Sequence, residues 1–120
     1  GPTLSATTTV QILARAARVN LPALGNPPAG ITLASGASRT LTVQVVDAGG
    51  VPLAGRRYSI TSNNPLVATT DQPAITSASQ LVITGASVSA TSAATFTLQP
   101  LDNQDRPQGT ATTLTVTVTP

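Results

Sequence analysis

Three features of the sequence predict an all-β protein, an antiparallel β-sandwich of about seven to nine strands. Short stretches of alternating apolar and polar residues recur along the chain. Clusters of Gly, Pro, Asn and Asp divide them at intervals of about 8–15 residues. No stretch sustains the 3.6-residue period of an amphipathic helix. A chain of 120 residues suits one domain, and Gly1-Pro2 reads as a protease-cleavage scar, so residues 3–120 are expected to form that domain as part of a longer protein.

The elements follow in order. Val10 and Ile12 set an alternation that predicts a first strand over about 7–13. Residues 14–21, ARAARVNL, admit two readings. Alanine and arginine favour a helical turn, whereas Val19 and Leu21 alternate before Pro22 and favour a kinked continuation of the strand. Residues 22–30, PALGNPPAG, form a loop, and Ile31-Thr32-Leu33 a short edge strand before a Ser35-Gly36 turn. The organising stretch is 39–62, which reads as strand, tight connection and strand in the manner of a hairpin. Leu41, Val43 and Val45 alternate with Thr42 and Gln44, and the alternation resumes through Tyr58 and Ile60. Between them Asp47, Gly49, Gly50, Pro52 and Gly55 form a structural turn. Glycine permits positive φ, proline fixes φ, and Asp bonds the backbone two residues on. Ser62–Pro65 turns into a strand over 66–70, and 71–79 is a loop. Strands follow over 80–84 and 93–98, the latter extending toward Leu101. The stretch 102–109 turns the chain. The last strand, 110–119, alternates throughout, with Leu114, Val116 and Val118 facing in and Thr113, Thr115, Thr117 and Thr119 facing out. The connections 47–55 and 102–109 echo each other: each opens on Asp, places Pro five residues later and closes on Gly. They are read as similar hairpin-like connections, not as an internal repeat.

Composition excludes much chemistry. His, Cys, Lys, Glu, Met and Trp do not occur, and the ionisable set is six Arg, four Asp and Tyr58. Without His or Cys there is no Ser–His–Asp triad, no Cys–His pair and no usual zinc site. Without Lys there is no Schiff base and no phosphate-loop lysine. No enzyme is expected. The arginines form no run and have no interleaved aromatics, so nucleic acid is not an expected partner. No apolar run approaches the roughly 20 residues of a membrane-spanning helix, so no membrane insertion is expected. Tyr58 and Phe96 sit on alternating strands and are assigned to the core, not to a sugar-stacking surface.

Val45-Val46-Asp47-Ala48-Gly49-Gly50-Val51-Pro52-Leu53-Ala54-Gly55 resembles the V-x-D-x-x-G-x-P-x-x-G connection of the bacterial immunoglobulin-like domains of invasin and intimin. Residues 62–71, SNNPLVATTD, are similar to the S-x-N-P-x-V-A-T-V-D segment of another bacterial immunoglobulin-like group, and TLTVTVTP to the last strand of either. Together these stretches cover about a third of the chain. Tyr58 stands where many such domains place Trp. The resemblance implies an immunoglobulin-like Greek-key sandwich from an extracellular or cell-surface bacterial protein. Such modules are often arrayed in tandem as spacers in adhesins, fibres or S-layers. The Lys–Asn crosslink that some surface domains use is excluded by the lack of lysine.

With strands A 7–13, B 39–47, C 57–62, D 66–70, E 80–84, F 93–101 and G 110–119 joined consecutively and antiparallel, the B–C, D–E and F–G connections share one end of a sandwich, and Asp47, Asp71, Asp102 and Asp105 all fall in or beside them. Each Asp either caps its own turn, or Asp102, Asn103 and Asp105 join Asp47 or Asp71 as oxygen ligands for Ca²⁺. The function expected from these observations is that of a non-catalytic spacer whose partners are neighbouring domains of the same chain. The alternative is a ligand-binding or self-assembling module, in which the 22–38 loop or an exposed edge strand engages a surface ligand or a sister subunit.

Overall fold

A computed structural model of the chain describes residues 15–25 and 28–120; the strand expected over 7–13 lies outside them. The fold is all-β. Ten strands are formed among the described residues: β1 Arg18–Asn20, β2 Ile31–Ala34, β3 Ser38–Thr42, β4 Gln44–Val46, β5 Tyr58–Ser62, β6 Ala68–Thr70, β7 Ile75–Thr76, β8 Gln80–Gly85, β9 Ser92–Pro100 and β10 Thr112–Thr119. One sheet has the order β2-β10-β9-β5-β7. The facing side is built from β3-β8-β6 and, above it, the pair β1-β4. Tyr58, Phe96, Leu81, Ile83, Leu98 and Leu114, all at most 1% exposed, meet between the two layers. The two aromatic residues are therefore core, as their alternation predicts.

β10 shows why the pattern holds: Leu114, Val116 and Val118 are buried, while Thr113 and Thr115 are exposed. Seven register pairs tie it to β9, from Thr112↔Leu98 to Val118↔Ser92. Within the ambiguous stretch 14–21, of which residue 14 lies outside the described residues, Arg18–Asn20 form strand and not a helical turn: β1 pairs with β4 from Arg18↔Val46 to Asn20↔Gln44. Edge strand β2 forms where Ile31 and Leu33 predict it. It pairs in parallel with β10, whereas the other strand pairs among the described residues are antiparallel.

The central stretch departs from the hairpin reading. β5 pairs with β9 and β7 in the opposite layer, not with β3 or β4. Strand B is also broken at Val43. β3 follows β8 as far as Thr42↔Gln80, and Val43 N–H donates to Ser79 O at 2.8 Å, where β8 has not yet begun. Above that point Val51–Leu53 folds back to replace the missing neighbour, with a Val46↔Pro52 bridge and Leu53 N–H donating to Val45 O at 2.7 Å. A second departure is β7, inside the stretch read as the loop 71–79. With only Ile75 as a large apolar residue it carries no alternation, and its partner Ser59 lies far along the chain. The segment 71–79 leaves β6 in one layer, adds β7 to the edge of the other and returns to β8 in the first.

Candidate functional site

The two Asp-led loops and the entering segment 15–17 lie at one pole, and the loops share one design. Asp47 Oδ1 accepts from Gly49 N–H and Val51 N–H, both at 2.9 Å. Asp102 Oδ1 accepts from Gln104 N–H at 2.8 Å and Arg106 N–H at 3.0 Å. In each loop the Asp carbonyl accepts from the residue three further on (Gly50, 3.0 Å; Asp105, 3.1 Å), and the Asp N–H donates to the carbonyl four further on. Each continues with a bridge to its proline, Val46↔Pro52 and Leu101↔Pro107. This is a three-residue hairpin loop in which a left-handed residue follows a turn. The left-handed position is Gly50 (φ 84°) in the first loop and Asp105 (φ 61°) in the second. Aspartate is among the few residues that tolerate that region.

Charge pairing secures the second loop. Arg57 Nε meets Asp105 Oδ1 at 2.7 Å, and Arg106 Nε meets Asp102 Oδ2 at 3.1 Å. The backbone N–H groups of Arg106 and Gln104, with the Arg106 guanidinium, hold the Asp102 carboxyl below the usual carboxylate range. Gln108 is the residue that sequence reasoning passes over. Its Oε1 accepts from Ala16 N–H at 2.8 Å and from Arg56 Nη2 at 2.7 Å, joining the entering segment to strand C and the F–G loop. Gly109 lets that segment approach, since a Cβ there would lie 2.5 Å from Ala17 O. Its Asp-to-Gly spacing is visible in the sequence, but the partner 92 residues earlier is not.

The predicted calcium ligands are distributed differently from one another. Asp102, Asn103 and Asp105 share the F–G loop. Asp47 serves its own loop, and Asn103 O accepts from Arg57 Nη2 at 3.1 Å. Asp71 Oδ1 accepts from Val82 N–H at 2.9 Å. Val82 pairs with Thr40, seven residues before Asp47 on strand B, so Asp71 sits roughly 23 Å below the pole along the strand at 3.3 Å per residue. The alternation of connections groups the 47–55 and 102–109 loops, but strand D ends at Thr70 opposite Ile83, well short of the pole. Among the described residues no group of three Asp, Glu, His or Cys converges as a metal site would need. A shallow cavity of about 250 Å³ opens beside the F–G loop, lined by Arg15, Arg56, Arg106, Gln104 and Gln108. Away from the pole, Tyr58 OH donates to Ala78 O at 2.6 Å, and burial, reinforced by the Asp71 charge, pushes its hydroxyl up to about 12.

No protein-family model matches the chain, and no curated protein matches its sequence. Among solved structures, domains 4 and 5 of the S-layer protein SbsC match 85% of this chain with a TM-score of 0.58 and 17% identity. The larger S-layer fragment rSbsC(31-844) matches 74% with a TM-score of 0.50 and 23% identity. WR4, a C. elegans MSP family member, matches 85% with a TM-score of 0.51 and 13% identity. The chain spans 51% of the first of these structures and 11% of the second. At these identities the likeness is one of fold: the class is the β-sandwich.

Proposed function

We propose that the chain is a non-catalytic spacer module of a bacterial extracellular or cell-surface protein, its partners being neighbouring domains of the same chain. The observation that carries this reading is the path of the backbone. It enters through 15–17 beside the Asp47 and Asp102 loops and leaves through β10 at the opposite pole. Both passages are fastened: Ala17 N–H donates to Val46 O and Thr110 N–H to Ala17 O, each at 2.8 Å, and Ser35 N–H donates to Thr119 O at 2.8 Å. A module so fastened fixes the direction in which a neighbour is held. The S-layer folds and the invasin-like loop sequence support a surface setting of this kind, including tandem arrays and adhesins. The absence of His, Cys, Lys and Glu supports the lack of catalysis.

The alternative, self-assembly or ligand capture, draws on the outer edges of β2 and β7, which have no strand neighbour among the described residues, and on Leu66, which is 84% exposed. Light scattering coupled to size exclusion, run at several concentrations with and without Ca²⁺, separates the two. A monomer of 12.0 kDa throughout is expected of the spacer. Dimers or fibres that grow with concentration would contradict it.

A further inference from the structure

We infer that the sandwich is built to carry tension between its two poles, with the parallel β2–β10 ladder as its clamp. The inference rests on the spacer reading and adds a mechanical task to it. β2 and β10 run in the same direction in register from Val116↔Ile31 to Thr119↔Ala34. A pull on the chain ahead of β2, opposed by a pull on the chain beyond β10, slides one strand along the other. The ladder bonds then lie across the load and share it, so they must break together. Strands drawn apart from a common end would open one bond at a time.

The lower end of this ladder is reinforced. Ser35 donates to Thr119 O twice, through N–H and through Oγ–H, each at 2.8 Å. Ser35 Oγ in turn accepts from Val88 N–H at 3.1 Å, tying the E–F connection to the same point. The β8 backbone presses on the ladder at Gly85, where a Cβ would lie 3.1 Å from both Val118 methyl carbons and 3.3 Å from Ala34 O. Ile31, Leu33, Val116 and Val118 are buried, so sliding the strands also drags apolar side chains through a packed core. Ahead of β2, the β1–β4 pair is loaded along its length in the same way, and buried Thr112 Oγ1 donates to Val19 O at 2.7 Å. The two patches stand in series along the path of the load.

The chain has no cysteine, so introduced thiols are unique attachment points for single-molecule force spectroscopy. One pair of handles, at Arg15→Cys and Pro120→Cys, loads the ladder in shear. A second pair, at Ala34→Cys and Pro120→Cys, peels it from one end. The shear geometry is expected to unfold at the higher force. Ser35→Ala should lower that force. Ser38→Ala, which removes only the 2.8 Å bond to Thr84 Oγ1 in the facing layer, should leave it unchanged. Thermal melts of both variants show that each still folds and how much equilibrium stability it loses. Equal forces in the two pulling geometries, or equal losses from the two serine variants, would overturn the clamp. Association in solution would count against the spacer reading alone, because rupture is read on single molecules.

Discussion

At the scale of single residues, the Asp side chains act as backbone caps. Asp47→Ala leaves two loop N–H groups without their acceptor and should cost about 1–2 kcal/mol, or roughly 4–8 °C of melting temperature. Chemical and thermal denaturation check this; an unchanged midpoint would contradict it. The left-handed positions give a paired test. Gly50→Ala should destabilise by about 1 kcal/mol because alanine resists positive φ. Asp105→Gly relieves the same constraint but removes the exposed pair with Arg57, worth at most about 1 kcal/mol, so its net effect should be small. Two titrations bracket the stable range. Asp102 has a lowered folded value, so its contribution is present above about pH 4 and is lost as pH falls below that. Tyr58 is raised to about 12, so its contribution is present below about pH 10 and is lost as pH climbs from 10 toward 12. Tyr58 is the only tyrosine, and phenolate absorbance should follow it cleanly to a midpoint near 12. A midpoint near 10 would contradict its burial.

At the scale of elements, the two Asp loops are interchangeable parts. Replacing Ala48-Gly49-Gly50 by Asn103-Gln104-Asp105 in sequence terms, that is Ala48→Asn, Gly49→Gln and Gly50→Asp, should preserve the hairpin and change stability by no more than about 1 kcal/mol. The introduced carboxylate would lie beside Arg18, whose Nη2 is 3.8 Å from the Cβ position of residue 50. Loss of folding by circular dichroism would contradict the shared design. Asp-to-Pro spacing made the likeness of these loops legible, and period-2 alternation did the same for β10, β9 and β2. The break of strand B at Val43 and the existence of β7 were not legible. The first follows from the register of β3 on β8, which ends at Thr42↔Gln80, and the second from the pairing of Ile75 with Ser59; both are set by pairing across the fold and not by Val43 or Ile75 themselves. The same is true of Gln108 and Gly109, whose tasks are defined by Ala16 and Ala17 at the far end of the sequence.

At the scale of the whole molecule, the poles differ. The entry pole gathers Asp47, Asp102 and Asp105 with Arg15, Arg56, Arg57 and Arg106. The opposite pole, formed by residues 34–38, 62–68, 84–92 and 119–120, has no ionisable side chain. The grouping of loops at one end was legible from strand counting alone, and so was the end of strand D at Thr70; its register on β8, with Thr70 opposite Ile83, which withdraws Asp71 from the pole, was not. With the carboxylates of Asp47, Asp71 and Asp102 already accepting backbone N–H groups, millimolar Ca²⁺ is expected to leave the melting temperature unchanged; a rise would contradict that account. The central claim is that one molecule, alone, holds its two poles apart. The most direct measurement is the distance between spin labels at Arg15→Cys and Pro120→Cys by pulsed electron resonance. Thr110 lies level with Ala17, and nine residues of strand separate Thr110 from Thr119, so a single narrow distribution at about 30–40 Å is predicted. A broad distribution, or distances that appear only as concentration rises, would contradict the account.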